Sequence, residues 1–254
     1  MDQPLVTVIT VVYNGQKYMA GCLESVLRQD YTNIEHIVLD GGSNDGTVDV
    51  LREYDESIGL WRSEPDGGVY YAWNKALTEA RGDWICFLGV DDEFLPGAIS
   101  AYMALAAKNP QAEYLSSRIK WVHSSSYQRI RGRPWRWRNF TMHTPHVGSM
   151  HRRSLFDRLG AYDTSYRIVA DYELLLRGGS QLNTAYMPVI TVMMRGGGIS
   201  STCGFKALEE AVRAQTTTGG RNKMLAMMNL RVQKAKLALR PLLYALGRMR
   251  SRVE

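Results

Sequence analysis

Two adjacent carboxylates, Asp91 and Asp92, close an apolar run that starts at Trp84 and reads Trp-Ile-Cys-Phe-Leu-Gly-Val. Neighbouring carboxylates raise each other's pKa unless a cation lies between them, so the pair suggests a site for a hard divalent ion, Mg2+ or Mn2+. Such an ion takes one or two protein carboxylates and fills its other positions with water and phosphate oxygens, and the ligand that fits is a diphosphate. The competing reading is a solvated turn ahead of the helix that Pro96 opens, since acidic groups are favoured near helix N-termini.

The elements that must position this pair are legible in the first hundred residues. Apolar, β-rich runs at 5–12, 34–39, 58–61 and 84–90 alternate with helical patterns at 18–27, 47–54, 69–80 and 96–108. The alternation predicts an α/β fold, with a mostly parallel central sheet and helices on both faces. Ligands of such sheets bind at the carboxyl ends of the strands. The polar signals fall there: Tyr13-Asn14-Gly15, then 40–46 (Asp-Gly-Gly-Ser-Asn-Asp-Gly), then 64–68 (Glu-Pro-Asp-Gly-Gly), then Asp91-Asp92. Turn and cap chemistry alone would also account for Gly41, Gly42 and Gly46. No Gly-x-Gly-x-x-Gly follows the first strand and there is no Gly-Lys-Ser/Thr loop, which weighs against dehydrogenase and P-loop chemistry.

Composition bounds the rest. A chain of 254 residues that is 45% hydrophobic can bury a large core, and one catalytic domain is expected. Cys22, Cys86 and Cys203 have no Cys-x-x-Cys spacing, which predicts neither a disulfide framework nor a zinc site and fits a reducing compartment. The N-terminal Met-Asp-Gln-Pro-Leu lacks signal-peptide character, and no stretch approaches the ~18 apolar residues of a membrane span, so a cytoplasmic location is expected. Of the net charge of +6, residues 221–254 carry nine Lys/Arg against one acid, or +8, leaving 6 − 8 = −2 for the first 220 residues.

Four ordered blocks, Val8 to Asn14, Ile37 to Thr47, Ser63 to Lys75 and Ala80 to Asp92, resemble those of the family 2 glycosyltransferases, and within them the bacterial exopolysaccharide or colanic-acid type. The resemblance runs from about Val6 to Thr202. It implies the A-type nucleotide-sugar fold with C-terminal helices: a catalytic domain over 1–220, made of a nucleotide-sugar half (1–110) and an acceptor and base half (111–220), then a basic amphipathic tail (221–254). It implies that Tyr13 stacks on the nucleotide base, and that Thr10, Asn14, Asp40, Gly41, Asp66, Gly68, Asn74, Lys75 and Asp91 surround the nucleotide sugar. Asp92, with Asp91, would hold the divalent cation. Asp171 would be the general base of an inverting displacement, with a UDP-sugar as the expected donor and a glycan or polyprenyl-diphosphate-linked hydroxyl as the acceptor.

Three positions depart from the family pattern. Gly89 replaces the first acid of the metal motif, and Ala170 replaces a Glu before the base. Gly41 replaces a second Asp that holds the uracil edge, so that contact is lost or comes from elsewhere.

The second half is less regular. Leu174 to Leu176 make 169–177 a short buried helix with acids at its start, where Asp171 could equally be a cap; Glu173 is the reserve base but points elsewhere. His146 resembles a position near the acceptor entrance, against the alternative of a core or rim histidine. The stretch 129–138 holds five Arg and two Trp, and Trp135 and Arg136 could meet a pyrophosphate-bearing acceptor, with nucleic acid as the competing ligand. Arg195 opens a glycine-rich loop after an expected strand at 185–194, poised over a diphosphate or serving as a plain turn. The tail reads as one or two basic amphipathic helices broken at Pro241, suited to the inner face of an anionic membrane, to packing on the domain or to a homodimer contact.

Two rivals from other classes remain. The pI of 9.2 suggests a nucleic-acid-binding protein, although clustered rim acids would repel phosphate and no nucleic acid is expected. Gly41 and Gly89 suggest a catalytically dead nucleotide-sugar-binding subunit.

Overall fold

The first strand is apolar on both faces because both faces are covered. In the computed structural model, which describes residues 3–124, 127–136, 144–196 and 204–250, and of 124, 127, 236 and 240–250 the backbone alone, β1 (Val6–Val12) lies inside the sheet. Alternate residues of a strand face opposite sides. Ile9 therefore joins Ile37, Ile85 and Phe87 in one core, while Val6 and Val8 join Trp84 and Cys86 in the other.

The chain runs β1, α1 (Gln16–Leu27), β2 (Ile34–Asp40), α2 (Thr47–Glu53), β3 (Leu60–Ser63), α3 (Val69–Glu79), β4 (Trp84–Phe87), β5 (Glu93–Phe94) and α4 (Ala98–Lys108). It continues with β6 (Tyr114–Ser124), β7 (Tyr127–Arg131), β8 (Ser149–Arg152), α5 (Arg153–Leu159), α6 (Ala170–Gly178), β9 (Thr184–Arg195), α7 (Gly204–Thr217) and α8 (Lys223–Arg250). The described strands form one sheet in the order β3-β2-β1-β4-β8-β6-β9-β5, with β7 on β6. Only β5, β7 and β8 run against the rest, so the sheet is mostly parallel as expected. The first 110 residues join the rest of the sheet through the β4–β8 and β5–β9 pairings. Helices α1 and α4 cover one face; α3, α5, α6 and Ala214 of α7 cover the other.

Two departures from the expected boundaries have a local reason. The strand at 84–90 ends at Phe87: the Leu88 N–H still bonds the Ile9 carbonyl, and then the Asp92 N–H turns back onto the Gly89 carbonyl. The tail forms a single helix, and its backbone continues through Pro241 where a break was expected. A proline inside a helix removes one N–H bond and need not end the helix when neighbouring turns are intact. Among the described residues, no helix is long and apolar enough to cross a membrane.

Candidate functional site

The parallel strands bring four loops to one rim, and the loops are tied to each other before any ligand is present. Asn14, with φ of 52°, donates its N–H to Ser43 Oγ (2.7 Å) and accepts the Asn44 N–H on its side-chain oxygen (3.1 Å). Asp45 accepts the Gln16 N–H (3.1 Å). The β1–α1 and β2–α2 loops are thus one unit, and they leave Tyr13 67% exposed at the end of β1.

Beside Tyr13, the missing side chain of Gly41 matters. A Cβ there would lie 3.2 Å from Asp66 Oδ2 and 3.6 Å from the Tyr13 ring. Asp66 Oδ1 is held by the Gly68 N–H (2.7 Å), and Gly68 itself needs its φ of 115° to open α3. The Asp66 carboxylate therefore reaches the space that a longer residue at position 41 would fill.

Three residues expected at the nucleotide sugar turn inward instead. Thr10 is fully buried and bonds His36 Nε2 (3.0 Å). Asp40 is 2% exposed and accepts from the Gly42 and Ser43 N–H groups, the Ser43 hydroxyl and the Ser63 hydroxyl. These four bonds and its burial tie the carboxylate to the 41–46 loop and to β3. Asn74 uses both ends of its amide on Tyr162, accepting the N–H (2.9 Å) and donating to the carbonyl (2.8 Å), and so straps α3 to the loop after α5. Lys75 pairs with Glu64.

At the end of β4 the two acids converge on Gly89. A Cβ at that position would lie 2.8 Å from Asp92 Oδ2 and 3.1 Å from Asp91 Oδ1, so the residue that departs from the family motif is also the one that leaves room for both carboxylates. Burial, and then the Asp91 charge, push Asp92 well above the usual carboxylate range; burial raises Asp91 as well. Asp92 Oδ1 accepts the Arg195 N–H (2.9 Å), and the Arg195 guanidinium holds Glu93 (2.5 Å) and lies 5.7 Å from the centre of the Tyr18 ring. No group of three His, Cys, Asp or Glu side chains forms a metal cage among the described residues. Two raised, converging carboxylates nevertheless fit a cation that takes its remaining ligands from a diphosphate and water. Gly197 to Ser200 of the loop after Arg195 lie outside the described residues.

Asp171, the second residue of α6, faces an aromatic wall. Tyr70 Oη donates to its Oδ1 (3.3 Å), and His146 Nδ1 stands 3.9 Å from its Oδ2. His146 packs between Trp73 (4.6 Å) and Phe87 (4.8 Å, ring centroids), the last residue of β4. Burial raises the Asp171 carboxyl from 3.8 to about 6, against the pull of its hydrogen bonds. Burial and neighbouring His151 depress His146 far below its usual value, so the ring is neutral and its approach to Asp171 is a dipolar contact rather than an ion pair. Glu173 is committed elsewhere: Arg177 grips both of its oxygens and the Thr218 hydroxyl donates to it (2.9 Å).

The Arg/Trp stretch divides. Trp135 is buried with its ring 5.8 Å from that of Tyr172, a correction to the acceptor contact expected of it, because the core beneath α6 takes it in. Arg136 is exposed. Arg131 covers the Trp121 ring (4.3 Å), and Val122 pairs with Arg195, which brings this part of the stretch toward the rim. Trp137 and Arg138 lie outside the described residues.

Tyr70 and Trp73 were missed as site residues. Their signal was their position three residues apart on one helix face within a matching block.

Residues 7–160 match the model described as glycosyl transferase family 2. An uncharacterized glycosyltransferase of Mycobacterium tuberculosis is 36% identical over 181 residues, covering 68% of this chain and 68% of its own. A PGL/p-HBAD biosynthesis glycosyltransferase of Mycobacterium bovis is 28% identical over 233 residues, covering 86% of this chain and 88% of its own. In fold, the chain is similar to the mannosyltransferase PcManGT from Pyrobaculum calidifontis in complex with GDP-Man and Mn2+, with a TM-score of 0.66 at 20% identity over 94% of this chain and 71% of that one.

Proposed function

The chain belongs to glycosyl transferase family 2, and from that premise we propose that it transfers a sugar, with inversion, from a nucleoside diphosphate donor to a hydroxyl of a lipid-linked or glycan acceptor in bacterial surface polysaccharide synthesis. The observation that carries the proposal is the arrangement of carboxyl groups about the end of β4. Asp91 and Asp92 converge just beyond Phe87, and Asp171, with a carboxyl near 6, faces the His146 ring that packs on Phe87. The PcManGT complex with GDP-Man and Mn2+ supports a nucleotide-sugar donor and a cation, and the PGL/p-HBAD biosynthesis relative supports a glycosyltransferase with a biosynthetic role.

The chemistry is a single displacement. The acceptor oxygen attacks the anomeric carbon, its proton passes to Asp171, and the bond to the diphosphate breaks with its electron pair leaving on the diphosphate oxygen. A base works best with a pKa near the operating pH, which the burial of Asp171 supplies. A divalent cation held by Asp91 and Asp92 would neutralise charge on the departing diphosphate. The Trp73, Phe87 and Tyr162 rings pack on one another and around His146, the ring that faces the base. Convergent carboxylates argue against a binding subunit without catalysis, for which a single acid at the diphosphate would suffice.

Tyr13 stacks on the base, and Asp66 offers the acceptor that residue 41 lacks. A carboxylate accepts the ring N–H of uracil or guanine, whereas cytosine and adenine present an acceptor at the corresponding ring nitrogen. UDP and GDP should therefore bind in the presence of Mn2+ more tightly than CDP and ADP, and Asp66→Asn should weaken UDP or GDP by about tenfold or more. Titration calorimetry with the four nucleotides decides it: binding of none of them removes the donor reading, and an Asp66→Asn variant that binds as the parent does moves the base contact elsewhere.

The tail supports a peripheral membrane position. Helix α8 packs on α7 through Ala226 and Leu230 against Leu208 and Val212 and leaves Met224, Leu225, Met228, Val232 and Leu239 exposed among its basic residues. Replacing Met224, Met228, Val232 and Leu239 with Gln should release the protein from phosphatidylglycerol vesicles without changing donor hydrolysis, and rising salt should release the parent too. A parent that does not sediment with such vesicles at low salt would leave α8 as a packing element.

A further inference from the structure

Helix α6 carries Asp171 in its first turn, yet it has no cap of its own: its N-cap residue is Val169, and no side chain of that residue bonds the free N–H groups. The four N–H groups at a helix start need partners, and an uncapped start frays. The segment just ahead of the helix start is held from another helix, and of the groups held there only the Val169 N–H belongs to the first four. Glu210 of α7 accepts the N–H groups of Arg167 (3.0 Å), Ile168 (2.9 Å) and Val169 (3.3 Å) on one carboxylate, and the Glu173 N–H then closes the first turn on the Val169 carbonyl (2.9 Å). Three successive N–H groups around one anion form a nest, a geometry that fixes both the peptide planes and the charge they enclose.

The same face of α7 holds the segment that leads into this nest. Arg213, three residues on from Glu210, donates to the Ser165 carbonyl and hydroxyl and lies over the Tyr166 ring (4.1 Å). Thr217, one turn further, meets the Tyr166 hydroxyl (3.4 Å), and Thr218 reaches Glu173. Side chains spaced by three, four and one residues thus hold 165–169 and α6 against one helix, in addition to the local turn in which the Tyr166 N–H bonds the Asp163 carbonyl (3.2 Å) and the Ser165 N–H bonds the Asp163 carboxylate (2.9 Å).

We propose that Glu210 is a positioning residue for the base: through the 167–169 nest it sets the direction from which Asp171 meets the acceptor hydroxyl. The inference rests on the reading of Asp171 as general base. A carboxylate two residues into a helix moves with the first turn, and displacement of a catalytic group by about 1 Å costs roughly a hundredfold in rate. Glu210→Ala should therefore act on turnover rather than on donor binding, and Glu210→Gln, which keeps one acceptor oxygen for the nest, should restore part of the loss.

The test compares the parent, Glu210→Ala, Glu210→Gln and Asp171→Asn. Amide hydrogen exchange is followed at 167–175, and nucleoside diphosphate release is followed from UDP-glucose and GDP-mannose with Mn2+. In Glu210→Ala, exchange at 167–175 should rise by about tenfold while β1 and β4 stay protected. Its kcat should fall by more than tenfold at unchanged KM, well below its melting temperature, with Glu210→Gln intermediate. Unchanged exchange at 167–169 overturns the clamp. Raised exchange with parental kcat overturns its role in positioning, and so does a kcat loss that merely follows the unfolded fraction. An Asp171→Asn variant as active as the parent would instead remove the base reading and this role together, leaving the exchange result as a statement about α6 alone.

Discussion

Asp171→Asn is expected to lower turnover by roughly a thousandfold while leaving nucleotide binding unchanged and raising the melting temperature at neutral pH. The substitution keeps the shape and the acceptor oxygen for Tyr70 but removes the group that takes the proton. The stability effect follows from linkage. The carboxyl is raised from 3.8 to about 6, so the folded state binds this proton more tightly than the unfolded chain does. The stability it contributes is whole below pH 3.8 and is lost as the pH rises to about 6. At neutral pH the buried charge therefore costs about 3 kcal/mol, to the order of magnitude, for a side chain that is 16% exposed. Asparagine removes that cost. The same value sets the rate profile: kcat in the parent should climb as the pH passes through about 6 and level off above it, because only the ionised form accepts a proton. Stopped transfer assays from pH 5 to 8, with thermal melts of both proteins, check each part. Near-parental turnover in Asp171→Asn would show that another group takes the proton; Glu173, locked to Arg177 and Thr218, is then the residue to replace.

The second large effect is expected at Asp92. Asp92→Asn keeps an acceptor for the Arg195 N–H, so the β5–β9 corner should hold, but it removes one of the two charges that converge on Gly89. Transfer should fall by about a hundredfold or more, and the gain in nucleotide affinity on adding Mn2+ should vanish. Asp91→Asn should weaken both without abolishing either, since Asp91 is the less buried of the pair. With both acids raised in the free protein, cation binding should release protons, and affinity should improve with pH. Undiminished activity of the parent in EDTA would remove the cation from the reaction.

The sequence by itself determined the α/β alternation, the rim and the residues that present themselves there. Periodicity records burial, so runs such as Val6 to Val12 announce a strand covered on both sides, and the chain order of strands places Tyr13, Asp66 and Asp91-Asp92 at carboxyl ends. Whether a polar side chain at that rim looks outward or inward was decided only by the tertiary structure. Thr10 is spent on His36, Asp40 on Ser63 and Asn74 on Tyr162, partners 26, 23 and 88 residues away, and Trp135 leaves the surface for the core around Tyr172. Asp66 reaches the space beside Gly41 across a gap of 25 positions, and Glu210 holds the segment leading into a helix that begins 40 residues before it. A hydrogen bond forms wherever folding brings a donor to an acceptor, and it leaves no periodic trace in the chain. Local pattern therefore determines which segments are buried, and the packing of distant segments determines which polar groups remain free to act.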